Sequence, residues 1–323
     1  MTDSRTHNGK PDTVVIFAPL PVLTVTVESR SGEDDIHVHA GGQGVWQSRM
    51  VSSLGVPTVL CAALGGETGS VLGHLLPTTD VTVRSVLVSS RNGAYVHDRR
   101  TGDRDIIAES PGSALDRHEL DSLYELTLTE GLTHGRVLLS GPQDDRVIPA
   151  DLYRRLTSDL GANGCKVAAD LAGKRLEAVL AGQPDLVKVS HEELLDDGRA
   201  KSDDPEDLVD AMRTMRDEGA NTIVVSRSGA APALALFDDD EGEGEGSIVE
   251  IVMPKLEPAD PTGAGDSMTA GMVAALASGR TLRESLQIGA ACGALNVVRH
   301  GLGTGGAKAV ATLAERVELR QWS

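Results

Sequence analysis

Seven consecutive residues, Asp260-Pro261-Thr262-Gly263-Ala264-Gly265-Asp266, stand directly before the stretch SMTAGMVAALASG, in which Met268, Met272, Val273 and Leu276 recur at helical spacing. Small residues at a helix start let backbone N–H groups approach a ligand without interference from a Cβ, and the helix dipole adds a positive field. The pattern describes an anion site that needs neither Lys nor Arg. Asp266 falls in the first turn, where the same field keeps a carboxylate ionised. Beside a phosphate cradle, such a carboxylate can accept the proton of an attacking hydroxyl. A tight turn with an ordinary first-turn acid has the same spacing, so the run alone leaves both readings open.

Composition narrows the partners. The chain has 323 residues, 30 Lys plus Arg against 48 Asp plus Glu, and a net charge of −18. That balance argues against a nucleic-acid backbone or an anionic membrane as main partner, because both require clustered cations. With 40% hydrophobic residues the chain can bury a real core. Its length allows two units of roughly 150 residues, or one large α/β domain with an appendage. Cys61, Cys165 and Cys292 lie far apart and outside any CxxC or Cys/His ligand spacing, which predicts reduced, buried thiols in a cytoplasmic protein. The apolar stretch from Val14 to Val27 is too short to span a bilayer and is broken by Pro19 and Pro21. The polar start, MTDSRTHNGKPD, reads as a disordered N-terminus over residues 1–12.

Something must hold the Asp260–Asp266 run in place. VVIF, LTVTVE and IHVHA read as short strands, followed by a helix from Gly41 in which Val45, Met50, Val51 and Leu54 recur before Gly55 ends it. PTVLCAAL reads as a buried strand, and VTVRSVLV, AYVHDRR and RDIIA as alternating pieces joined by turns such as Asn92-Gly93. Beyond these, VLLS, KVAAD, DLVKVS and NTIVVS alternate with helical stretches. One of them is PEDLVDAMRTMRDEG, with Asp204 at the N-cap, Pro205 at N1 and Gly219 at its end. This alternation predicts a parallel, doubly wound sheet, with the early strands in a small sheet beside it. The acidic FDDDEGEGEG (Phe237 to Gly246) lacks the spaced ligands of a calcium loop and reads as a solvated hairpin tip. Gly301-Leu302-Gly303 offers no dinucleotide site, because no strand precedes it and no acid follows at about twenty residues.

DPTGAGDSMTAG resembles the C-terminal signature of the ribokinase-like (PfkB) carbohydrate kinases. Three further stretches resemble the family in the same order: Gly41-Gly42-Gln43-Gly44 with VWQSRMVSSLG, LLSGP (Leu138 to Pro142), and PDLVKVSHEEL (Pro184 to Leu194). The likeness runs from about Val14 to Gly303. It implies an α/β fold, a Rossmann-like doubly wound, mostly parallel sheet in an α/β/α sandwich, with a small β-sheet lid. The kinase domain would span residues 13–323, with lid strands from about 20–40 and 84–110. It also implies ATP-dependent transfer of a phosphoryl group to a hydroxyl of a sugar or sugar-like substrate. Asp266 would be the base, and the backbone of Gly263, Ala264 and Gly265 the anion hole. Glu193 would hold Mg²⁺ through water, and Ser190, Ser226, Ser228 and Gly229 would contact ATP. Gly41, Gly42, Gln43, Trp46 and Arg91 would face the acceptor, and two copies would pair through the lid.

Four positions depart from the family pattern. Ser190 stands where Asn is expected, Gln43 where a Lys is common, Trp46 where an Asn binds a sugar hydroxyl, and Thr24 where an Asp grips the substrate. Losing the Lys and gaining an indole leans the acceptor toward an unphosphorylated sugar or sugar-like alcohol. The alternatives are a hexose-phosphate kinase of the 1-phosphofructokinase or tagatose-6-phosphate kinase type, and a non-catalytic member that binds nucleotide or sugar.

Overall fold

The computed structural model describes residues 11–102, 105–142, 146–228, 231–238, 246–254, 256, 262–298, 303 and 305–322. The chain begins with β1 (Val14–Phe17), the hairpin β2 (Val22–Arg30) and β3 (Glu33–Gly41), α1 (Gln43–Ser53), β4 (Thr58–Gly65), α2 (Gly66–Leu75) and β5 (Val81–Val88). A second hairpin, β6 (Ala94–Asp98) and β7 (Asp105–Ser110), leads to α3 (Arg117–His134). Then come β8 (Arg136–Ser140), α4 (Ala150–Ala162), β9 (Lys166–Asp170), α5 (Gly173–Ala181), β10 (Leu186–Ser190), α6 (His191–Asp196), α7 (Pro205–Asp217) and β11 (Thr222–Ser226). The C-terminal part holds β12 (Ala233–Phe237), β13 (Ser247–Val252), α8 (Ala264–Ala277), α9 (Leu282–Val297), α10 (Ala307–Ala314) and β14 (Glu318–Gln321).

Ten strands form one sheet in the order β14-β13-β12-β11-β10-β9-β8-β1-β4-β5, parallel from β5 to β11 and antiparallel beyond. The central strands are continuous apolar runs because both faces are covered. Val15 and Phe17 of β1 pack into one core with Leu123, Tyr153, Leu176 and Met212, whereas Val14 and Ile16 pack into the other with Met50, Leu72, Met272 and Leu286. The result is the expected α/β/α sandwich. A separate four-stranded sheet, β3-β2-β6-β7, joins the two hairpins through the parallel pair β2–β6.

One expected boundary moves. Val81–Val88 pairs along its whole length with β4 as the edge of the large sheet, so the second lid segment begins at Ala94 rather than near residue 84. An edge strand with one half-solvated face alternates just as a lid strand does, and the pattern could not separate the two. Asp204 and Pro205 start α7 as expected, although the Asp204 side chain makes no capping bond. The hairpin β12–β13 flanks the acidic tip, of which residues 239–245 lie outside the described residues. So do residues 1–10 of the expected disordered N-terminus, whereas the Asp12 N–H bonds Ala277 O at 2.8 Å. No helix among the described residues is long and apolar enough to cross a membrane.

Helix α8 is buried almost all round, and glycines set how it packs. A Cβ at Gly271 would lie 2.6 Å from Cys292 Sγ and 3.0 Å from Gly289 Cα, and one at Gly289 only 2.4 Å from Met272 Cγ. Helices α8 and α9 therefore meet nearly backbone to backbone, which fixes where the α8 N-terminus points.

Candidate active site

Because β1 and β8 to β11 run parallel, their C-terminal ends gather along one rim, where ligands of open α/β sheets bind. Ser140 ends β8, Asp170 ends β9, Ser190 ends β10 and Ser226 ends β11, the last two directly paired in register. The start of α8 reaches this rim. Gly263 caps the helix in the left-handed region (φ 75°, ψ 9°), a conformation that costs glycine little. Asn296 of α9 fastens the turn: its Nδ2 donates to Thr262 O at 2.7 Å, and its Oδ1 accepts from Ser267 Oγ at 3.1 Å and from Gly303 N at 3.3 Å. Asp260, Pro261 and Gly229 lie outside the described residues.

Asp266 stands in the first turn of α8, with protein on most sides of its carboxylate. The helix field does not keep it fully ionised as expected: burial, then the neighbouring charge of Asp170, pushes it up to about 7, against the pull of Lys188 and a hydrogen bond from Gln43. Gln43 is itself held, its Oε1 accepting the Gly141 N–H at 2.7 Å. Below lies a buried polar network, for which the motif stretches supply Gln47, Ser140, Lys188 and Thr269 without assigning them a role. Asp170 Oδ2 accepts from Gln47 Nε2 at 3.0 Å and Thr269 Oγ1 at 2.7 Å, while Oδ1 pairs with Lys188 Nζ at 3.3 Å. Ser140 Oγ donates to Gln47 Oε1 at 2.5 Å and completes the chain. One signal was available in the sequence: a Lys inside the apolar strand LVKVS and an Asp closing VAAD are charges where a buried strand tolerates none unpaired.

Ser190 caps α6, its Oγ accepting the Glu193 N–H at 3.2 Å, while Glu193 Oε2 accepts the Ser190 N–H at 2.7 Å and hydroxyl at 2.9 Å. Both residues thus sit on the rim, reciprocally bound. Ser228 is exposed just past the end of β11.

Under the small sheet lies a cavity of about 340 Å³ lined by buried Leu20, Val22, Tyr95 and Val147 and by exposed Glu109 and Arg146. None of Gly41, Gly42, Gln43, Trp46 and Arg91 is in its wall, but several adjoin it. A Cβ on Gly41 would lie 3.5 Å from Val22 Cγ2, Gln43 bonds the residue before Pro142, and the Arg91 carbonyl accepts the Ser113 N–H at 2.9 Å. Thr24 lies buried beside Gly41 on the inner face of β2, two residues beyond Val22. Trp46 instead packs under Gly303, where any Cβ would meet its carbonyl at 2.3 Å. Its indole N–H is buried without a partner among the described residues. The Arg91 side chain is exposed.

Comparison with known proteins agrees with this geometry. The profile of the pfkB family carbohydrate kinases matches residues 20–309. The ATP-dependent 6-phosphofructokinase isozyme 2 of Escherichia coli is 28% identical over 265 residues, 81% of this chain and 82% of its own. The 1-phosphofructokinase of Borreliella burgdorferi is 25% identical over 264 residues, with the same shares covered. The crystal structure of the E. coli phosphofructokinase-2 in complex with potassium superposes with a TM-score of 0.78 at 25% identity, covering 94% of this chain and 99% of that one. With the family profile spanning both the lid and the α8 turn, this chain belongs to the pfkB family of carbohydrate kinases.

Proposed function

We propose that the protein transfers the γ-phosphoryl group of ATP to a hydroxyl of a sugar or sugar-like acceptor, with Asp266 as general base and the backbone N–H groups of Gly263 to Asp266 as the anion hole. The observation that carries this reading is the Asp266 carboxylate, held by Gln43 in the first turn behind a left-handed glycine. A base that titrates at about 7 can both take a proton and release it at neutral pH. Phosphoryl transfer through a loose transition state asks the protein mainly to align the hydroxyl and to neutralise charge on the equatorial oxygens. First-turn N–H groups of α8 do the second, and Asn296 holds their turn in place in advance, so little reorganisation is needed.

The residues present fit ATP and Mg²⁺. Ser190 and Ser226 stand side by side on the rim and, with Ser228, would face the nucleotide. Among the described residues no group of three or more His, Cys, Asp or Glu could hold a metal ion. Mg²⁺ must then take most ligands from phosphate and water, as it readily does. Glu193 suits that reduced role, since its Oε2 serves the α6 cap and its Oε1 makes no hydrogen bond among the described residues. When bound, the ion supplies positive charge to the phosphates.

The acceptor would occupy the cavity beneath the lid, where buried Val22, Leu20 and Tyr95 favour a substrate with an apolar face. A second reading, a sugar phosphate, is favoured by Arg146 in the same wall and by the names of the two relatives. Exposed Ile36 and Val38, aligned with Val27 and Val25 on the outer face of the lid, suit pairing with a second copy. Three buried free thiols suit a reducing, cytoplasmic setting. The deciding experiment is an ATP-consumption screen over free hexoses, pentoses, hexose phosphates and nucleosides. Turnover on one class supports the kinase reading, and ATP binding without turnover on any leaves a non-catalytic binder.

A further inference from the structure

We propose that the Asp170–Lys188 pair is a positioning element of the site: locked between α1 and α8, it seats the anion-hole turn and with it the Asp266 carboxylate that the turn carries. The inference rests on Asp266 acting as base. Lys188 and Asp170 are buried, with side chains 6% and 3% exposed, and 3.3 Å separates Nζ from Oδ1. A lone buried pair of this kind contributes little to stability, so its presence calls for another explanation. Three features supply one. First, the ammonium abuts the turn, since a Cβ on Gly265 would lie 2.5 Å from Lys188 Nζ. A side chain at Gly265 would have to displace that ammonium. Second, the carboxylate is bonded from both flanking helices, by Gln47 of α1 and by Thr269 of α8, and the Thr269 hydroxyl also lies 3.1 Å from Gly265 O. Third, among the described residues Asp170 takes the one hydrogen bond that Lys188 donates, so two of its three N–H groups remain beside the turn.

The groups that act on Asp266 come from four elements: Asp170 on β9, Lys188 on β10 and Glu193 on α6, together with the neutral Gln43 on α1. Asp170 and Lys188 oppose each other there, the first disfavouring the Asp266 anion and the second favouring it. Removing either charge should move the protonation of Asp266, and in opposite directions.

The test is the acid limb of kcat/KM against pH, with the best acceptor, for three variants. Lys188→Met should move the limb to higher pH by about one unit or more, and Asp170→Asn should move it to lower pH by a similar amount. The double variant Asp170→Asn/Lys188→Met should fall between the two single variants. It also serves if a single variant does not fold, because it removes both charges of the pair together; its limb should then lie at lower pH than wild type, since Asp170 acts on Asp266 more than Lys188 does, and a limb that coincides with wild type would overturn the proposal. Limbs that coincide with wild type in both single variants, or that move the same way, would overturn the proposal and leave the pair a structural one. If Asp266→Asn keeps wild-type turnover, it is the base assignment that has failed.

Discussion

Around the α8 N-terminus each charged or polar group that acts on Asp266 is held by a second partner: Asp170 by Gln47 and Thr269, Gln43 by Gly141, and Glu193 by the Ser190 cap. Across the cleft the lid side offers a different material. There the cavity is walled by buried Leu20, Val22 and Val147 with Tyr95 and Ser110 as its uncharged polar side chains, and its two charged residues, Glu109 and Arg146, are exposed. On the proposed reading the step is phosphoryl transfer, which tolerates little misplacement, and groups braced in advance suit it. An acceptor held in this cavity, as proposed, would be recognised more by shape and by charges that water screens. Substitutions should accordingly act on kcat at the first region and on the acceptor KM at the second.

The strongest test of that contrast is Asp266→Asn. The amide keeps the shape but cannot take a proton, so kcat should fall by about 10²–10⁴-fold with ATP affinity nearly unchanged, read by single-turnover kinetics and calorimetric titration. In the wild type, kcat/KM should decline below about pH 7 as Asp266 protonates. The sign for stability is the reverse. A carboxylate raised from about 3.9 in the unfolded chain binds its proton more tightly when folded, so its stabilising contribution is lost as pH rises through about 7. Asp266→Asn should therefore melt higher than wild type at pH 8, with the gain shrinking as pH falls toward about 4.

Breaking the brace comes next. Lys188→Met leaves Asp170 buried without its cation and should cost about 3–5 kcal/mol in denaturant unfolding, whereas Asp170→Asn/Lys188→Met should lose much less. Equal losses for the single and double variants would mean that the pair is held by something other than mutual charge.

Much of this brace was hidden in the sequence for a physical reason. Strands β8 to β11, helix α7 and the Asp266 turn were legible because their periods and caps are local. Helix α9 was not, since LRESLQIGAACGALNVV is packed by small residues on the side facing α8 and shows no clean apolar stripe. The Asp170–Lys188 contact joins adjacent parallel strands 18 residues apart, a distance that no motif spans. Gln43, expected to face the acceptor where a Lys is common, bonds Gly141 and Asp266, contacts between distant stretches that its own neighbours in sequence do not signal. Trp46, expected to face the acceptor, has its backbone against Gly303, is half-buried and is absent from the cavity lining.

A smaller effect is expected at the metal. If Glu193 meets Mg²⁺ as proposed, with phosphates and water supplying most of the ligand field, Glu193→Gln should raise the Mg²⁺ requirement by no more than about tenfold. The glutamine can still accept the Ser190 bonds, which keeps α6 capped and separates metal binding from folding. Superimposable Mg²⁺ titrations of wild type and variant would remove Glu193 from the metal site.

The smallest effects should fall on the exposed cations at the cavity, and they would decide what it takes. Arg146 stands in its wall and Arg91 beside it, both exposed, so each contributes at most about 1 kcal/mol to holding an anionic group in water. Arg146→Ala should then raise the KM for a hexose phosphate by up to about fivefold, and the KM for a free sugar and for ATP hardly at all. Val22→Asp, which places a carboxylate in the apolar wall, should act the other way, favouring hydroxylated free sugars and disfavouring phosphorylated ones. Should Arg146→Ala instead lower kcat while leaving every KM unchanged, Arg146 would belong with the braced groups around Asp266, and the division between the two regions would have to be redrawn.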